Sequence, residues 1–193
     1  MIMKTLLTFF VLFFSSSIVA EDISDFEIEG MSIGDSLLKY FSITEINKAY
    51  NYDHLPSSMK FRISEFYSDS FDSDLYDAFQ FNYKPEDKDF IIYGIRGFIK
   101  CNNKQDCKKI FNQIGNDLSN IFQKTKKIGP NIIIHPDDKS GESKGTKIYY
   151  LFKSKGKVDL TYMDWSINSG YKDSVSIEIV SKEVRDWINN NYF

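Results

Sequence analysis

The feature that most constrains this chain is one amphipathic helix set between two groups of strand-like segments. Over residues 104–124, Cys107, Ile110, Phe111, Ile114, Leu118, Ile121 and Phe122 recur at the intervals that line one stripe of an α-helix. Asn103 is a fitting N-cap, Lys124, Lys126 and Lys127 suit the negative end of the dipole, and Gly129-Pro130 stops the helix. At about 1.5 Å per residue it is roughly 30 Å long, enough to cross one face of a sheet. A single stripe buries a single side, so the helix predicts a layer to lie against.

The flanking segments supply that layer. Before the helix, residues 59–67, 78–83 and 90–100 alternate apolar with polar residues at the period of a strand. Turn-forming stretches separate them, which gives an antiparallel meander. After the helix, 131–134 is a short apolar piece and 135–145 a loop, followed by strands over 147–153, 157–165 and 174–179. Residues 182–191 close the chain as a short helix carrying Val184, Trp187 and Ile188. Ahead of all this, Phe26 and Ile28 alternate with Glu27 and Glu29 as a short strand. Ser32 caps a first short helix that holds Leu37, Leu38 and Phe41, and Ser42-Ile43-Thr44-Glu45 has the form of a capping box for a second. The sum is a two-layer α+β domain over residues 21–193 with a mainly antiparallel sheet, one long helix and short helices. It is compatible with two helix-plus-three-strand halves, 26–100 and 101–193.

Residues 1–20 stand apart. Lys4, the apolar run 6–14 and the small-residue exit 15–20 have the layout of a signal peptide cleaved near Ala20, with an apolar core too short to span a bilayer as a helix. The expected product is periplasmic or secreted, with no transmembrane segment once the leader is gone. The formal charge of −3 becomes one unit more negative when Lys4 leaves with it. That balance gives no reason to expect nucleic acid as a partner. In an exported chain the two cysteines, Cys101 and Cys107, predict a local disulfide.

Gly34-Asp35-Ser36-Leu37 resembles the first block of the GDSL (SGNH) esterase and lipase family, which casts Ser36 as nucleophile. Gly115-Asn116-Asp117 resembles that family's oxyanion block with one residue missing. Its late Asp-x-x-His pair is not matched: His135 has Ile132 at that spacing, and His54 follows Asp53 directly. A serine nucleophile needs a base within hydrogen-bond reach, and the family's parallel sheet conflicts with consecutive strands. Ser36 as a helix-start residue is therefore the first reading and esterase the alternative.

Gly30-Met31-Ser32 with the short helix after it resembles the Gly-Met-Thr/Ser helix start of SmpA/BamE and beta-lactamase-inhibitor-protein-like modules. That resemblance implies a small exported α+β binding domain with helices ahead of an antiparallel sheet. Gly34 interrupts the helix start, Phe41-Ser42 replaces the usual Leu-Gly, and no lipid-carrying Cys is present. The fold carries over; binding residues do not.

Two acidic groups could hold a hard cation: Asp69, Asp72, Asp74 and Asp77, and His135 with Asp137, Asp138 and Glu142. Neither has a complete ligand pattern, so both read as solvated loops, with no metal and no cofactor. With 17 Phe and 12 Tyr in the chain, Tyr149, Tyr150, Phe152, Tyr162 and Trp165 on adjacent strands are the candidate recognition face. The sequence thus points to an exported, non-enzymatic protein that binds an unidentified protein or small molecule. A Ser36 esterase and a structural or envelope-assembly protein are the alternatives.

Overall fold

A computed structural model describes residues 22–51, 60–135 and 138–192. The leader, His54 and Asp137 lie outside the described residues. In chain order the elements are α1 (Ile43–Lys48), β1 (Tyr50–Asn51), β2 (Arg62–Tyr67), β3 (Tyr76–Tyr83), β4 (Gly94–Lys100), α2 (Lys104–Ile121), β5 (Lys126–Ile134), β6 (Lys144–Leu151), β7 (Lys157–Asp164), β8 (Ser174–Val180) and α3 (Lys182–Tyr192). The strands form one eight-stranded sheet in the order β1-β2-β3-β4-β8-β7-β6-β5, and every neighbouring pair is antiparallel. The α+β class read from the sequence is therefore what the chain adopts. Two meanders, β2–β4 and β5–β8, join where β4 pairs with β8.

Helix α2 is capped as its sequence implies, with Asn103 Oδ1 accepting the Asp106 N–H at 2.9 Å. Its buried residues Cys107, Phe111, Ile114, Gly115 and Leu118 face β7 and β8. At Gly115 a Cβ would stand 3.5 Å from Leu160 and 3.8 Å from Ile148, ordinary contact distances. The helix covers only one end of this face. The other end is covered by the irregular N-terminal segment, where Phe26, Ile28, Leu37 and Phe41 are buried and the Phe41 ring stacks on Phe66 at 4.1 Å. Phe122 joins the two covers, with ring centroids 5.1 Å from Phe26 and 5.2 Å from Tyr150.

Three local expectations are corrected. Residues 26–29 alternate buried and exposed as a strand would, yet Ile28 and Met31 bond only to each other, N to O at 3.0 Å both ways. Glu29 (φ 52°) and Gly30 (φ 73°) make that turn, so the segment lies over the sheet instead of within it. Ser32 caps no helix: Asp35 accepts its N–H at 3.1 Å, and the helix that follows is one 3-10 turn, Leu37–Lys39, capped by Ser36. Lastly, Gly129-Pro130 does not end α2, which has already closed at Phe122; the pair sits inside β5, where the register with β6 shifts. A proline is tolerated there because β5 is an edge strand. By contrast, the Ser42–Glu45 capping box forms in both directions.

Cys101 and Cys107 are disulfide-bonded, with Cα atoms 5.1 Å apart. The bond ties the end of β4 to the first turn of α2, with both residues buried.

Candidate functional site

Alternation along each strand gives the sheet two faces. One is the core beneath α2 and the N-terminal segment. The other is met by α3 at one corner, where Phe61, Val180, Val184 and Trp187 pack together. Across the remainder of this second face runs a single in-register row: Glu65 opposite Gln80, Gln80 opposite Arg96, Arg96 opposite Glu178, Glu178 opposite Asp159, and Asp159 opposite Tyr149. Directly opposed side chains are close enough to interact, and two opposed pairs of the row, Glu65–Gln80 and Arg96–Glu178, are hydrogen-bonded.

Gln80 donates to Glu65 at 2.6 Å, and the Arg96 guanidinium donates to Glu178 at 2.7 Å. Lys147 and Lys157 both reach Asp159 Oδ2 at 2.7 Å. Glu178 and Asp159 are buried although, among the described residues, no helix lies over them; the long side chains of Lys147 (26% exposed) and Lys157 (19%) fold down across Asp159. Burial raises the Glu178 pKa, but the positive charges of Arg96, Lys147 and Lys157 outweigh it and hold the carboxyl below its ordinary value of 4.5. Asp159 Oδ1 is buried and accepts no hydrogen bond among the described residues, leaving an unsatisfied acceptor inside the row.

Around the row, half-buried Phe98, Tyr149, Leu151 and Ile128 and exposed Tyr67 share the same face. The Arg96 guanidinium carbon lies 5.9 Å from the Phe98 ring centre. The arrangement is a fixed polar strip whose two directly opposed carboxylates, Glu178 and Asp159, are balanced by Arg96 on one side and by Lys147 and Lys157 on the other, bordered by aromatic and aliphatic side chains. Such a surface can recognise a partner by charge pattern and ring contact.

Ser36 caps the Leu37–Lys39 turn of the N-terminal segment. Its Oγ accepts the Leu38 N–H at 3.2 Å and donates to the Asp89 carbonyl, so the hydroxyl serves a turn and a bridge to the β3–β4 connection. His135 packs its ring 4.5 Å from that of Trp165. Gly115 lies in the middle of α2, with its carbonyl accepting from Ser119 at 2.6 Å and from Tyr150 at 3.2 Å. Each of these described residues thus has a local structural partner, and His54 lies outside the described residues.

The aromatic set singled out from the sequence does not share one surface. Tyr150, Phe152 and Tyr162 are buried on the core face, Tyr149 lies on the open face, and Trp165 stacks between His135 and Tyr171 beyond the end of β7. Only Tyr149 belongs to the polar row. Asp69, Asp72 and Asp74 stand on the β2–β3 loop and Asp77 in β3. Asp138 accepts from Ser140 N and Oγ at 2.9 and 2.6 Å and from Ser143 N at 2.8 Å, hydrogen bonds that hold its carboxyl far below the usual range. Its charge organises the β5–β6 loop. Among the described residues no cluster of three or more His, Cys, Asp or Glu is placed to hold a metal ion.

One cleft of about 410 Å³ opens beside α3, lined by Lys60, Lys182, Glu183, Asp186, Trp187 and Asn190. Its charges are spent on one another: Glu183 pairs with Lys60 at 2.9 Å and Lys84 at 3.2 Å, and Asp186 with Lys182 and Arg185.

No protein-family model matches the chain, and neither curated proteins nor solved structures give a match. Among the described residues, no helix is long and apolar enough to cross a membrane.

Proposed function

We propose that this chain is an exported, non-enzymatic binding protein, periplasmic or secreted after cleavage near Ala20, that engages its partner on the open face of the sheet. The observation that carries the reading is the in-register row Glu65–Gln80–Arg96–Glu178–Asp159–Tyr149. A merely solvated sheet face needs no buried carboxylates, because desolvating charge is costly unless it is paired. Here two carboxylates are buried and paired with no helix over them among the described residues, beside the rings of Tyr67, Phe98 and Tyr149. Partial desolvation before binding lowers the cost of covering the surface, and fixed charges set the register of what lies on it.

Export is supported by the leader's layout and by the Cys101–Cys107 bond, which suits an oxidising compartment. The short α1 ahead of an antiparallel sheet suits an exported binding module of the kind the Gly30-Met31-Ser32 segment resembles. The non-enzymatic part of the reading draws on Ser36, whose hydroxyl is engaged by Leu38 and Asp89.

Tyrosine-selective iodination tests the reading. Tyr67 and Tyr149 are expected to be protected in the intact envelope or culture fraction and to react in the purified protein. Equal reactivity of both residues in the two samples contradicts occupancy of this face.

A further inference from the structure

The sheet has two edges, and they are unlike. β1 offers two residues, Tyr50–Asn51, whereas β5 offers nine. Free strand edges are templates for pairing, and proteins blunt them with lysine, proline and bulges. The first half of β5 carries all three, in Lys126, Lys127, Pro130 and the register shift between Ile128 and Asn131. Its second half, Asn131 to Ile134, carries none, and Ile132 (72% exposed) and Ile134 (60%) stand open to solvent.

Backbone geometry specifies what fits there. The His135 N–H bonds to the Ser143 carbonyl, and Ile134 stands opposite Lys144. In an antiparallel ladder, residues that bond to the neighbour alternate with residues whose N–H and C=O point the other way. Asn131, Ile133 and His135 therefore bond toward β6, while Ile132 and Ile134 direct both backbone groups to the free edge. We propose that β5 pairs with β5 of a second copy of this chain, antiparallel and centred on Ile133.

The two neighbouring symmetric registers fail by chemistry. Centring on Ile132 sets Ile134 against Pro130, which has no N–H to give, and centring on Ile134 carries Ile132 two residues past the Ile134 end of β5, where the strand offers it no partner. Centring on Ile133 sets Ile132 against Ile134 of the second copy, and Ile134 against its Ile132. All the outward N–H and C=O groups of these residues are then used. The four isoleucines gather on one face, and Asn131 stands opposite His135. Charge runs the same way, since antiparallel pairing brings the exposed Lys126 end of one β5 toward the loop of the other copy that carries Glu142 and Asp138. This edge alone buries less than the roughly 1,000 Å² of a stable interface, so the dimer is reversible and concentration-dependent. It leaves the open face of each sheet uncovered.

Sedimentation of the mature chain over a concentration series is expected to show monomer passing to dimer. Ile132→Lys with Ile134→Lys changes only exposed side chains, and is expected to raise the dimer dissociation constant at least tenfold. Ile133→Cys places two thiols in a directly opposed, non-hydrogen-bonded pair with Cα atoms about 4.5 Å apart, inside disulfide range. Mild oxidation is expected to give a covalent dimer, and Ile128→Cys is expected to give none. A chain that stays monomeric up to millimolar concentration overturns the proposal. So does a dimer indifferent to the double lysine variant, or equal cross-linking of the two cysteine variants.

Discussion

Arg96 and Glu178 meet across the β4–β8 pair, Nη2 to Oε2 at 2.7 Å, at the strand boundary where the two meanders become one sheet. The pair is both a structural seam and the middle of the polar row, so its removal should be felt in stability as well as in binding. Glu178→Gln leaves Arg96, Lys147 and Lys157 with one carboxylate fewer in a largely buried setting. Breaking a buried pair typically costs about 3–5 kcal/mol. With about a third of the Arg96 side chain in solvent, roughly 2 kcal/mol is the expected loss at pH 7 by urea denaturation.

The pH dependence follows from the same carboxyl. Its folded-state pKa lies below its ordinary value of 4.5, so it stabilises the fold above that pH and ceases to do so as the pH falls through the folded value. The stability gap between wild type and Glu178→Gln is therefore expected to be full at pH 6–7 and to shrink below about pH 4.5. Denaturation at a series of pH values checks this; a gap that widens on acidification contradicts it.

Gly115→Ala separates a structural glycine from a catalytic one. The new methyl meets Leu160 and Ile148 at ordinary contact distances, and alanine is favoured over glycine in a helix by up to about 1 kcal/mol. A gain of roughly 0.5–1 kcal/mol is expected, seen as a Tm rise of about 1–4 °C. Gly97→Ala is the contrast: its Cβ would fall 2.5 Å from the Tyr76 ring, and it should destabilise.

Replacing both Cys101 and Cys107 by alanine opens a loop with a sequence separation of 6. The chain-entropy estimate for so short a loop is about 2 kcal/mol. Because the bond fixes the β4–α2 corner, hydrogen exchange should quicken first in the opening turn of α2.

Ser36→Ala removes a cap and should cost about 1 kcal/mol. A fluorophosphonate probe is expected to leave Ser36 unlabelled in the wild type, and short-chain ester turnover to match buffer. Labelling at Ser36 would favour the esterase alternative.

The sequence carried the long helix, the three-strand meander of the first half, the Ser42–Glu45 cap and the Cys101–Cys107 bond, because each rests on local spacing. It did not carry β5, whose Gly129-Pro130 looks like a helix stop when the bulge and the edge position are unknown. It placed Tyr150 and Tyr162 beside Tyr149 because adjacent strands were visible but their facing was not. The polar row was hidden for a related reason. Glu65, Gln80, Arg96, Asp159 and Glu178 each look like an ordinary solvated strand residue. Only the register of five strands brings them into line, and register is a long-range property that alternation alone does not fix.

Site-resolved photo-crosslinking in the intact exporting cell tests the central claim most directly, with the reactive residue placed in turn at Tyr67, Phe98 and Tyr149 on the open face and at Asn112 on the outer side of α2. The account predicts one discrete adduct shared by the three open-face positions, weakened by Glu178→Gln, and none from Asn112. Adducts from Asn112 alone, or equal adducts from all four positions, would contradict it.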